Sequence, residues 1–108
     1  INAARILCFD WLVLMQGSNH TISMLWHDNR LFADIDPGAR GRWFEFVERS
    51  IQGTGKQYID TLNTENYEAM TSAMSSDVKS ALAEAVVITL RGDQTKNKLL
   101  GVQFGTPV

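Results

Sequence analysis

Apolar and polar residues alternate with a period of two from Thr21 to Asp36, the pattern of a strand that buries one face. Asp28 and Asn29, at the centre of the stretch, are residue types that tolerate the left-handed backbone of a tight turn. The pattern therefore predicts a β-hairpin over 21–36 closed by those two residues. Pairing 27 with 30 and counting outward places Ile22, Met24, Trp26, Leu31, Ala33 and Ile35 on one face. A slip of one residue would mix them with Ser23, His27, Arg30 and Asp34, so the register is well specified. The second face, which also carries Leu25 and Phe32, is half apolar. A hairpin with one oily face needs a cover from the rest of the chain.

The flanking segments supply candidates for that cover. Ile1 to Met15 is apolar at almost every position, which removes periodicity as a guide. Its leucines, its length and a stop at Gly17 favour a helix, with a buried strand as the alternative. Asp36 before Pro37 is a helix-capping pair, and apolar positions 43, 44, 46, 47 and 51 fall on one helical face. Gly53-Thr54-Gly55 ends that helix, and Lys56 to Leu62 is a short connection, strand or helical turn. Thr64 reads as the N-cap of a helix carrying Tyr67, Met70, Ala73 and Met74, and Ser75-Ser76-Asp77 restarts a second with Val78, Ala81, Leu82 and Ala85 inward. Val86 to Leu90 has the strongest β-propensity in the chain, Gly92 to Asn97 is a polar loop, and Leu99 to Phe104 returns as a strand. The expected architecture is a single α+β domain over 1–108. Its antiparallel sheet of about four strands is built on hairpins 21–36 and 86–104 and packed on one side by helices.

Charge and cysteine content narrow the setting. A net charge of −2 and scattered basic residues argue against nucleic acid as a partner. The apolar run Ile6 to Met15 is too short to cross a bilayer and contains Asp10, so no membrane partner is expected. The single Cys8 excludes an internal disulfide; in its apolar run it is expected to be a buried, inert thiol, which suits a reducing, cytoplasmic compartment.

The candidate chemistry is sparse. Gly53-Thr54-Gly55-Lys56 is reminiscent of a phosphate loop, but Ser50 stands where the first glycine belongs and Gln57 where magnesium needs a hydroxyl. His20, His27, Asp28, Asp34 and Asp36 lie within seventeen residues and offer the imidazole and carboxylate of a general acid/base pair: His27 or His20 as base, Asp34 or Asp36 as its orienting partner. In the hairpin register His27 and Asp34 sit at opposite ends, too far apart for one ion, so no metal site and no cofactor are expected. Arg30, Arg40 and Arg42 stand near aromatic residues. Trp26, Phe32, Arg42 and Trp43 form the candidate pocket for a small apolar or anionic ligand. The apolar excess points to a homo-oligomer. Two functions follow: a non-enzymatic small-ligand or protein-binding domain that self-associates, or a small pocket enzyme of the hydrolase or isomerase type using a His/Asp pair.

Overall fold

The computed structural model describes residues 2–91. Helix α1, Ala3–Gln16, starts at Asn2, whose side chain accepts from the Ala4 N–H, and turns Leu7, Trp11 and Leu14 inward. Strand β1 is Met24–His27 and strand β2 is Gln57–Asp60. Between them lie a single-turn helix α2, Asn29–Phe32, and a long helix α3, Pro37–Ile51. Helices α4, Thr64–Thr71, and α5, Ser76–Ala85, follow β2.

The two strands form one parallel sheet, Met24 opposite Gln57 and His27 opposite Asp60, joined by the α2–α3 crossover. This overturns the expected antiparallel sheet of about four strands. Hairpin 21–36 does not form, because Asp28 acts as the N-cap of α2 instead of a hairpin turn: its carboxylate accepts from the Arg30 N–H. One helical turn then carries Phe32 into the core, fully buried, with Leu31 and Ile35 packed beside it. Val86 to Leu90 pairs with no strand among the described residues, and Leu99 to Phe104, the second half of the other expected hairpin, lies outside them.

The helical expectations hold more closely. Residues 3–16 are helix; α3 is capped by the Asp36 carboxylate on the Ala39 N–H, with Pro37 in its first turn; α5 follows Ser75. The cap of α4 is Asn63, one residue before the expected Thr64. Gly53 and Gly55 both adopt positive φ, which only glycine takes freely, in the turn that returns the chain from α3 to β2.

Helices α1 and α3 pack on one face of the sheet. That face holds Leu25 and Tyr58, and two adjoining clusters form the core: Leu7, Phe32, Phe44 and Met70, and Trp11, Leu14 and Val47. The alternation along β1 is therefore inverted relative to the sequence reading: Leu25 and His27 point inward, Met24 and Trp26 outward. Cys8 is exposed on α1, not buried as its apolar run suggested, because the four- and three-residue steps of a helix face select Leu7, Trp11 and Leu14 for the core instead. No helix among the described residues is long and apolar enough to cross a membrane.

Candidate functional site

Two features could carry function: the polar carboxyl ends of the strands with the buried chain behind them, and the uncovered outer face of the sheet. The buried chain starts on α1. Asp10 Oδ2 lies 2.8 Å from His27 Nε2, and His27 Nδ1 lies 2.7 Å from the Tyr58 hydroxyl, which in turn accepts from Trp43 Nε1 at 3.1 Å. The indole can only donate, so it takes one lone pair of Tyr58 and leaves the phenol proton for His27 Nδ1. The histidine then carries its proton on Nε2 and donates it to Asp10. Every hydrogen bond runs in one direction, Trp43 to Tyr58 to His27 to Asp10. Burial pushes the Tyr58 hydroxyl well above the usual phenol range, against the partial relief of the Trp43 hydrogen bond and with the Asp60 and Asp10 charges adding to the rise. Tyr58 is thus held as a neutral phenol.

The nucleophile–base–acid spacing of a catalytic triad is present here, but access is not. His27 is 4% exposed and both of its ring nitrogens are occupied, while the ring is enclosed by Phe32, Trp43 and Tyr58. The chain is a structural tie that brings α1, α3 and both strands together through polar groups satisfied inside the core.

At the carboxyl ends of the strands the backbone opens into a polar rim. The Asn29 N–H donates to Thr61 Oγ1 at 3.2 Å, and Asn29 Oδ1 accepts from the Asn63 N–H and from Asn66 Nδ2, both at 2.9 Å. One asparagine side chain thereby joins the exit of β1 to the start of α4. The Arg40 guanidinium adjoins this rim: Nε donates to the Ile35 carbonyl at 2.7 Å and one Nη to the Asn66 carbonyl at 3.3 Å. Asp60, at the end of β2, has both carboxylate oxygens buried with no hydrogen-bond partner. Its pKa is pushed up to about 8, first by loss of solvent and further by the Asp28 charge; the Thr61 N–H, already bonded to the His27 carbonyl, offsets only part of this.

The residues singled out by sequence are distributed over several places. His20 closes the end of α1, with Nε2 donating to the Val13 carbonyl at 2.7 Å and Nδ1 accepting from the Ile22 N–H at 3.0 Å. Asp36 caps α3, Asp34 is exposed, and neither reaches His27, whose acid is Asp10. Of the candidate pocket, Phe32 is in the core, Trp43 is half-buried beside Tyr58, Arg42 is exposed and Trp26 lies on the outer sheet face. The four do not surround one space. The glycine loop after α3 binds its own hydroxyl, Thr54 Oγ1 to the Ile51 carbonyl at 2.7 Å, and lies at the amino end of β2. Among the described residues no group of three or more His, Cys, Asp or Glu side chains could hold a metal. A shallow groove of about 420 Å³ between α3 and α5 is lined by Glu48, Arg49, Gln52, Asp77 and Val78.

The second feature is apolar. On the outer sheet face Met24, Trp26 and Ile59 are 45%, 63% and 39% exposed, and Ile22 extends the patch beyond the strand. Parallel sheets ordinarily carry cover on both faces. Among the described residues, α1 and α3 cover one face only.

A family model described as "Uncharacterised protein conserved in bacteria (DUF2326)" matches residues 1–104. No curated protein and no solved structure matches the chain.

Proposed function

For a chain that belongs to the DUF2326 family, whose description specifies no activity, we propose a protein-binding role in which the outer face of the parallel sheet receives an amphipathic helix of a partner. The observation that carries this is the Met24–Trp26–Ile59 surface, with Gln57 as its only polar member across the two strands. A large aromatic ring held rigidly on a strand is the kind of residue that anchors an interface. The partner offers an apolar stripe about three side chains long, because helices are what normally cover the faces of parallel strands. The enzyme alternative draws support from the Asp10–His27–Tyr58 spacing, but the enclosed ring gives a substrate no approach.

The test is selection of helical peptides from a displayed library on the wild-type chain, followed by binding to two variants. Trp26→Glu places charge at the centre of the face, and Phe9→Glu places it on exposed α1, 67% exposed in the native chain. Peptides lost with Trp26→Glu and kept with Phe9→Glu support the proposal. Peptides insensitive to Trp26→Glu, or an empty selection, refute it.

A further inference from the structure

Arg40 lies in the second turn of α3, yet it is only 6% exposed. Buried arginines are almost always paired with a carboxylate or phosphate, since an unpaired charge away from water is costly. Among the described residues no carboxylate lies within 4.0 Å of this one; the only such contact is His27 with Asp10. Its partners among the described residues are two neutral carbonyls, Ile35 and Asn66, which engage Nε and Nη1. Nη2 has no partner among the described residues. Among the described residues the sealed atoms without a partner are the two Asp60 oxygens, so Nη2 keeps part of the little surface that Arg40 retains.

Three further observations converge on this place. Arg40 bonds the Ile35 carbonyl, just ahead of the Asp36 cap of its own helix α3, and the Asn66 carbonyl in the first turn of α4, and both helix N-termini carry positive potential. The place is the carboxyl end of a parallel strand–helix–strand unit, where open α/β sheets hold their ligands. Asn66 connects Arg40 to the Asn29–Thr61–Asn63 rim, which adds neutral donors and acceptors around it. The acids at this end of the sheet are Asp28, which caps α2, Asp36, which caps α3, Asp60, whose buried carboxyl at the end of β2 keeps its proton up to about pH 8, and Glu65 of the first turn of α4.

We propose that Arg40 anchors an oxyanion-binding subsite at the carboxyl end of the sheet, taking a phosphate-class group on its free guanidinium edge. The stem and two of the nitrogens are fixed by packing and by carbonyls, so the fork is held ready and little freedom is lost on binding. This site is separate from the outer sheet face and stands whether or not that face binds a helix.

The experiment is an NMR titration of the full 108-residue chain, isotopically labelled, with inorganic phosphate, and with sodium acetate and sodium chloride at matched ionic strength. The expected result is a saturable shift of the Arg40 side-chain NH resonances and of the amides of Asn29, Asn63 and Asn66 with phosphate alone. Arg40→Lys, which keeps the charge and loses the fork, should weaken that binding about tenfold. Should that variant fail to fold, the side-chain resonances of the wild-type chain decide the matter alone. Equal shifts with acetate would overturn the phosphate assignment. Shifts that follow ionic strength, or that leave Arg40 unmoved, would overturn the site.

Discussion

Replacing Asp60 by Asn should make the protein more stable at neutral pH and leave it unchanged in acid. Both Asp60 oxygens are buried without partners, and the group holds its proton up to about pH 8, against 3.8 for an ordinary aspartate. A group whose folded pKa is raised keeps its full contribution below the unfolded pKa and loses it as pH rises through the folded one. For Asp60 that window runs from about pH 4 to about pH 8. Each pH unit within it is worth at most about 1.4 kcal/mol, so by pH 7 the upper limit is about 4 kcal/mol. Relaxation of the surroundings and water penetration soften the penalty of a buried charge, which brings the expectation down to about 2 kcal/mol. In a domain of this size that corresponds to a rise in Tm on the order of 10 °C. Asn has the shape of the protonated acid and cannot ionise, so it isolates the charge. The assay is urea unfolding of wild type and Asp60→Asn at pH 4.5 and 7.5, comparing the difference between the two proteins at each pH so that all other titrations cancel. A gain for Asp60→Asn that appears only at the higher pH is the expected outcome. An equal difference at both pH values, or a variant less stable at pH 7.5, would refute the argument.

Further expectations concern the polar chain and the rim. Tyr58→Phe preserves the ring against Trp11 and Trp43 but leaves the Trp43 N–H and His27 Nδ1 unpaired, and should cost about 2 kcal/mol in denaturant unfolding. His27→Ala removes the link between Asp10 and Tyr58 and leaves a cavity beside Phe32; a loss of about 3 kcal/mol is expected by the same measurement, and a loss below about 1 kcal/mol would show that the chain does not hold the core. Asn29→Ala strands two donors, the Asn63 N–H and Asn66 Nδ2, and should cost about 1 kcal/mol while raising amide exchange at the start of α4. Trp26→Glu, on an open face, should change stability by no more than about 0.5 kcal/mol in thermal unfolding.

How much of this was legible depended on whether the signal was local. The cap at Asp36-Pro37 and the restart at Ser75 are read within a few residues, and both helices formed where those residues placed them. Asp28 is equally suited to a hairpin turn and to a helix cap, and the choice was made elsewhere: β1 found a parallel neighbour in β2, thirty residues on, and Phe32 found a place in the core. The four-residue Gln57–Asp60 segment has no pattern long enough to announce a strand. The same distance in sequence hid the partners of His27, which are Asp10 seventeen residues before it and Tyr58 thirty-one after. One signal for that contact was present: Asp10 is the only charged residue in the apolar run from Ile6 to Met15, and a carboxylate so placed requires a polar partner from another element.

Arg40 shows the remaining limit. A charged residue in a segment reading Pro37-Gly38-Ala39-Arg40-Gly41 looks exposed by any local rule. It is buried where α3 runs close to α4: a Cβ at Gly41 would already stand in van der Waals contact, 3.4 Å from the Met70 carbonyl oxygen and 3.7 Å from Met74 Cγ, which leaves room for a methyl and little more. The helix–helix contact that hides the guanidinium stem thus has no space for a large side chain one residue later. Gly41→Leu therefore offers a separate check: a side chain longer than a methyl presses α3 and α4 apart, and should expose Arg40 and loosen its bonds to Ile35 and Asn66, read as faster exchange of its side-chain NH. An Arg40 resonance unchanged in Gly41→Leu would mean that its burial does not depend on this contact.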